Sequence, residues 1–335
     1  MEEHQTMKYN VLGRTGFKVS ALGIGGHEYR RWLNPYHFNV ARDVKEFYRT
    51  QEQRNEIIKK ALDAGINYFD TTHKEEVESL GLALEKWGRR KDVFVAIMSI
   101  FPFRRMKEAP KSRWRDILLD EIESRLRLLN TSYADVFNLH MPEDNYSTEL
   151  FTYTIGLLME LKESGKIRAI GASTHEPKFL AELMRKYDCF DTVMVRYNYF
   201  LKDAKETLFP LCKMLNVGVV VMKPICWPYY GIPFAYFCEN ENIASAYTPI
   251  QASIKWILNS PEVSCVVASV NSIEELEEDI ETLYKDVPVD DKILEKCLQH
   301  ALSDKSKQIL QKLSTHPYRD IREYARKALE GWKVT

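Results

Sequence analysis

The amino-acid sequence predicts an α/β fold: a (β/α)8 TIM barrel with an N-terminal β-hairpin and a C-terminal helical extension. Three observations lead there. Eight short apolar runs, rich in Val and Ile, recur between residues 19 and 270. The runs are continuous rather than alternating, which suits parallel strands covered on both faces. The segments between almost all of them carry the repeat of amphipathic helices, and such alternation over eight units closes a parallel barrel.

Ahead of the barrel, residues 8–20, "KYNVLGRTGFKVS", place a Gly-centred turn between two β-prone runs, the pattern of a hairpin. The strands follow as "VSALGIGG" (19–26), "INYFDTT" (66–72), "VFVAIMSI" (93–100) and "DVFNLHM" (135–141). The second four are "IRAIGAST" (167–174), "TVMVRYNYF" (192–200), "VGVVVMKPI" (217–225) and "SCVVASV" (264–270). Between them, Val77, Leu80, Leu84 and Trp87 form one helical stripe, and Ile117, Ile122, Leu126 and Leu129 another. Gly65 and Gly165 stand where C-terminal helix caps precede strands, and Ser272 with Glu275 reads as a capping box. Residues 8–285 are expected to be the barrel and 286–335 a helical tail, together one domain over 1–335. The amphipathic stretch "PYRDIREYARKALEGW" suits packing on the barrel or on a partner chain rather than chemistry.

Composition narrows the class. The chain has 335 residues, 45% apolar and 28% charged, with a net charge of −1. That length supports a substantial core, and the charge balance offers no electrostatic footprint for nucleic acid or an anionic membrane. No apolar run reaches the ~20 residues of a membrane span. The start, "MEEHQTM", has no apolar region of a secretory signal, so a cytoplasmic location is expected. Cys189, Cys212, Cys226, Cys238, Cys265 and Cys297 are scattered without a C-x-x-C pair. They are expected to be reduced and to bind no metal.

Barrel active sites lie at the C-terminal ends of the strands. The candidates there are Asp70, His73 and Lys74 after the second strand, Met98 and Ser99 in the third, and His140 in the fourth. Ser173, Thr174 and His175 follow the fifth, Tyr197 to Tyr199 the sixth, and Met222 and Lys223 the seventh. A carboxylate, imidazoles and a lysine converging on one mouth suit general acid–base chemistry.

The segments "LGRTGFKVSALGIGG", "ALDAGINYFDTT", "YADVFNLHMP", "GKIRAIGASTHEP" and "GVVVMKP" resemble the aldo-keto reductase superfamily in order and spacing, and "SPEVSCVVASVNSIEELEEDI" fits its closing segment. "STHEP" and "VMKP" resemble the branch that often carries a C-terminal iron–sulfur cassette, but this tail has no clustered cysteines, so no cluster is implied. The resemblance implies hydride transfer between a nicotinamide nucleotide and a small carbonyl or alcohol. It also implies a catalytic Asp, Tyr, Lys and His. Asp70 and His140 match two of the four; Met98 stands at the Lys, and no Tyr lies between Tyr68 and Arg89. The loop is short there, so His73 or Lys74 is the expected replacement proton donor.

On the cofactor side, the resemblance implies contacts from Ser173, Thr174, Met194, Met222, Lys223, Ser269, Glu275 and Asp279. Glu275 falls near the position where the family commonly places an Arg for a 2′-phosphate, so NADH is expected over NADPH, or else a poorly discriminating site. Basic residues Arg30, Arg31, Arg104, Arg105 and Lys107 suit an acidic small-molecule substrate. The second reading is a barrel that performs non-redox acid–base chemistry with Asp70, His140, His73 and Lys223, or binds a ligand without turnover.

Overall fold

The computed structural model describes residues 7–26, 50–99, 102–141, 147–199, 201–225, 247–286 and 289–294, with isolated positions of the tail beyond. Arg30, Arg31, Cys226, Cys238, Cys297, the side chain of Arg104 and most of the expected helical extension lie outside the described residues. In chain order come β1 (Tyr9–Val11), β2 (Lys18–Ser20), β3 (Leu22–Ile24), α1 (Gln51–Asp63), β4 (Tyr68–Thr71), α2 (Lys74–Trp87) and β5 (Phe94–Ser99). Then follow α3 (Pro102–Glu108), α4 (Trp114–Leu128), β6 (Ala134–His140), α5 (Thr148–Glu163), β7 (Ile167–Thr174), α6 (Pro177–Lys186) and β8 (Thr192–Arg196). The last are α7 (Asp203–Thr207), α8 (Phe209–Leu215), β9 (Gly218–Met222), α9 (Pro249–Leu258), β10 (Val263–Ala268) and α10 (Ile273–Tyr284).

β1 and β2 pair antiparallel as the expected hairpin, with Tyr9 facing Ser20 and Val11 facing Lys18. The other eight strands close a barrel in chain order, β10 pairing back in parallel to β3. Each expected apolar run holds one barrel strand, with two differences. The first run divides: residues 19–20 finish the hairpin, and the barrel strand starts at Leu22. Ser20 makes the break, donating its hydroxyl to the Leu22 carbonyl at 2.6 Å and its N–H to Asn67 Oδ1 at 2.7 Å. The sixth run stops at Arg196, because Tyr197 leaves the barrel wall and stacks on Trp256 of α9.

Residues alternate between the two sides of each strand. Phe69, Ile97, Phe137, Leu139, Ile170, Val193, Val221 and Val266 join the core between strands and helices. Tyr68, Ala96, Val136, Ala169, Met194, Val220, Cys265 and Val267 fill the lumen together with Leu12, Phe17 and Val19 of the hairpin segment. The hairpin is therefore the floor of the barrel. Phe17 stacks on Phe94 with centroids 4.7 Å apart, and the Arg168 guanidinium lies 4.4 Å from the Phe17 ring. Arg168 and Arg90 both pair with the fully buried Asp135, whose carboxylate also accepts the Val95 N–H at 2.9 Å.

The helices follow their stripes: Val77, Leu80 and Leu84 are buried on α2, and Ile117, Ile122 and Leu126 on α4. Gly65 and Gly165 follow α1 and α5 at φ 88° and 75°, the left-handed backbone of a C-terminal cap. At α10, Ser272 accepts the Glu275 N–H at 3.2 Å, as a capping box requires. The reciprocal bond is displaced by one residue: Glu275 takes the N–H of Asn271 at 2.6 Å instead of that of Ser272.

Candidate functional site

Alternation carries each lumen-lining position one step up to the mouth. Asp70 stands above Tyr68, Met98 above Ala96, Asn138 and then His140 above Val136, and Ser173 above Gly171 and Ala169. Met194, Met222 and Ser269 complete the ring on β8, β9 and beyond β10. Register makes several of these neighbours: Met98 pairs with Asn138, Asn138 with Gly171, His140 with Ser173, and Ser173 with Met194.

Asp70 is the most perturbed group in this ring. It is 5% exposed, and its Oδ1 has no hydrogen-bond partner. Burial pushes its pKa up to about 8, the nearby Glu76 charge adds to this, and Asn138 opposes it. No cation among the described residues offsets the burial, because the neighbouring strand offers Met98, which is 8% exposed. Burial therefore favours the protonated form of Asp70. Asn138 is 1% exposed, and neither end of its amide makes a hydrogen bond of proper geometry, though it lies close enough to Asp70 to influence the carboxyl. Gly171 makes room for that amide: a β-carbon there would sit 2.0 Å from Asn138 Oδ1.

The turn out of β4 is short because Glu76 closes it. The fully buried Glu76 accepts the Thr72 N–H at 2.7 Å. His73 is the N-cap of α2, its carbonyl accepting the N–H groups of Glu76 and Val77 at 3.1 Å each. His73 is half-buried, and Lys74, the first helical residue, is exposed. The half-buried His140 has its pKa lowered by burial, so its neutral ring offers one N–H and one acceptor at pH 7.

On the cofactor side, Ser173 is buried and its carbonyl accepts the Met141 N–H at 2.8 Å. Thr174 is committed to the turn into α6: its hydroxyl donates to the Met141 carbonyl at 3.2 Å and accepts the Glu176 N–H at 2.9 Å. Met194 lies in the lumen core and the half-buried Met222 packs against it. Lys223 adopts φ 58° and its carbonyl accepts Asn198 Nδ2 at 3.0 Å. The Ser269 hydroxyl lies 2.9 Å from where a Gly25 β-carbon would be. Along α10 the buried Asp279 has its pKa raised well above the carboxylate range, by burial first and then by Glu278 and Glu275.

A nicotinamide ring fits this wall, since Met194 and Met222 supply apolar contact, Ser173 a hydroxyl, and Gly25 an approach that any side chain would fill.

Three sequence candidates are turned elsewhere. Ser99 points to α4, donating to Glu121 Oε2 at 3.0 Å, and Tyr197 lies 3.4 Å from the Ser260 hydroxyl. Arg105 pairs with Glu121 at 2.5 Å. That buried carboxylate also takes Arg125 Nη1 at 2.5 Å, while Arg125 Nε holds the Met98 carbonyl at 3.0 Å. Asn138, Thr72 and Glu76 are the residues that motif reading passed over. Asn138 did carry a signal, as a polar residue inside the apolar run "DVFNLHM".

A model of the Aldo/keto reductase family matches residues 44–227. Among curated proteins, the chain is 26% identical over 227 residues to an aldo-keto reductase of Bacillus subtilis, YhdN, covering 66% of this chain and 62% of that protein. It is 24% identical over 329 residues to the L-glyceraldehyde 3-phosphate reductase of Escherichia coli, covering 84% and 89%. Among solved structures, the holo form of an aldo-keto reductase from Bacillus halodurans matches with TM-score 0.63 and 21% identity, over 88% of this chain and 96% of that one. An aldo/keto reductase from Klebsiella pneumoniae in complex with NADP and acetate matches with TM-score 0.62 and 20% identity, over 88% and 95%.

Proposed function

Because this chain belongs to the aldo/keto reductase family, we propose that it is an oxidoreductase moving hydride between a nicotinamide nucleotide and a small carbonyl or alcohol. Its acid machinery differs from the family's tyrosine and lysine. The observation that carries this reading is the ring of inward positions at one barrel end, where Asp70, His140 and Ser173 share the mouth with Met194 and Met222.

When bound, the nucleotide supplies or accepts the hydride. The chain's own residues do the rest. The neutral His140 donates an N–H to the carbonyl oxygen, where negative charge develops. Ser173 would hold the carboxamide through its hydroxyl, and the two methionines would cover the ring and exclude water. His73, at the rim of the mouth, and Lys74, exposed on the first turn of α2, are the donors that the loop itself could offer.

For nucleotide choice we propose NADH over NADPH. Glu275, on the first turn of α10 near the expected 2′-phosphate position, supports this. The Klebsiella pneumoniae protein was solved with NADP, so the preference here rests on the acidic residues of α10.

A second reading is supported by one observation. A buried carboxyl and an imidazole, both pushed toward the neutral form by burial at the same end of the barrel, are also the equipment for proton transfer next to a carbonyl, without redox.

Titration with NADH and NADPH, followed by nicotinamide fluorescence, separates the two. Saturable binding with carbonyl-dependent oxidation of the nucleotide is expected. A folded protein that binds neither nucleotide refutes the redox reading and favours the second.

A further inference from the structure

Three atoms at the base of the mouth are buried without a hydrogen bond: Asp70 Oδ1 and both ends of the Asn138 amide. Each such atom destabilises a fold by about 1–3 kcal/mol, so folded proteins seldom leave a cluster of them unless something else meets it. Below them, Tyr68, Cys265 and Val136 fill the lumen, so nothing on that side meets the cluster. The Gly171 clearance admits the Asn138 amide, which lies close enough to Asp70 to influence its carboxyl.

We infer that Asp70 and Asn138 form the oxygen-binding end of the site, with Asp70 as an un-ionised carboxyl that donates its proton to the substrate's carbonyl oxygen and Asn138 as the amide that holds that oxygen. This inference rests on the oxidoreductase reading above and assigns its proton donor to the strand instead of the loop after it. Hydride from the reduced nucleotide reaches the carbonyl carbon, and the C=O π pair moves onto oxygen. The O–H bond of Asp70 breaks, its proton going to that oxygen and its electron pair staying on the carboxylate. The products are an alcohol and the oxidised nucleotide, and the carboxylate regains a proton from water. In the oxidative direction the same carboxylate acts as base.

Burial supports the role, because an acid with pKa about 8 is both protonated and reactive near neutral pH. The titratable groups facing Asp70 are Glu76 from α2, Tyr68 on its own strand and Cys265 from β10. Tyr68 and Cys265 are held neutral by burial, so Glu76 is the charge that most keeps Asp70 protonated.

The test uses the full chain and its Asp70→Asn and Asn138→Leu variants. The infrared difference between the protein without nucleotide and its Asp70→Asn variant, in which the contribution of the buried Asp279 cancels, should show a neutral carboxyl C=O band at pH 7. That difference band should vanish as pH passes about 8. In carbonyl reduction, kcat should fall above the same pH. Asp70→Asn should lower kcat by about 100-fold or more with KM little changed. Asn138→Leu should lower it about 10- to 100-fold and leave the pH limb in place. Absence of the band overturns the inference whether or not turnover is found. A band that is present, with Asp70→Asn keeping wild-type kcat and pH profile, also overturns it and returns the role to His73. No turnover with any carbonyl, with the band intact, refutes the oxidoreductase reading and the donor role with it.

Discussion

The Asn138 amide occupies the space that a side chain at Gly171 would need: its Oδ1 lies 2.0 Å from the β-carbon position. The Thr192 hydroxyl closes the other side at 2.7 Å. Gly171→Ala should therefore destabilise the protein by about 1–3 kcal/mol, the range for overpacking a filled site. Urea unfolding monitored by circular dichroism measures it. The double variant Gly171→Ala, Asn138→Ala should recover much of the loss, because it removes the closer of the two clashes.

Stability should depend on pH through Asp70. Its folded pKa is raised, so its contribution is fully present below the unfolded carboxyl value and is lost as pH rises to about 8. In that window the folded state holds a proton that the unfolded state has released, giving a decline of up to about 1.4 kcal/mol per pH unit. Asp70→Asn should flatten the decline between pH 5 and 8 in parallel denaturant titrations.

Met98→Lys places an ammonium on the strand beside Asp70. The pair should ionise together, which draws the Asp70 pKa down. The expected result is loss of the neutral carboxyl band at pH 7 and loss of the stability decline between pH 5 and 8. A band unchanged from wild type would show that the new ammonium does not reach Asp70.

Burial opposes ionisation of Glu121, but the Arg125 charge and the bonds from Arg105, Arg125 and Ser99 prevail and lower its pKa. Removing the buried partner strands that carboxylate. Arg125→Met should destabilise by about 3–5 kcal/mol at neutral pH. The deficit should shrink as pH falls and Glu121 becomes protonated, a dependence visible in melting curves at pH 7 and pH 4.5.

Glu275→Arg should shift preference toward NADPH by about 10-fold, as a carboxylate is exchanged for a guanidinium at the 2′ position. Ratios of Kd for NADH and NADPH in the two proteins check this. The change also removes the carboxylate that takes the Asn271 N–H, so α10 should melt earlier in hydrogen exchange.

The barrel is legible in the sequence because its strands are buried on both faces and need continuous apolar runs. The caps at Gly65 and Gly165 are legible because a left-handed backbone demands a particular residue. Strand ends are less so: nothing in "VSALGIGG" marks the break that Ser20 makes through its bonds to Leu22 and Asn67. At the site, Asp70 and His140 stand in patterns that spacing preserves. The roles of Glu76 and Asn138 are set by which backbone or carboxyl their side chains meet after folding. His73 and Lys74 follow from counting along the loop, whereas Glu76 folding back onto Thr72 decides how little loop there is.

The hairpin floor has a consequence for traffic. With Leu12, Phe17 and Val19 packed into the lower lumen and Arg168 laid over Phe17, that end is plugged. Substrate, product and the water that recharges the acid must all use the upper opening. In the proposed reaction one opening then serves all three, which ties reloading of the acid to departure of the product.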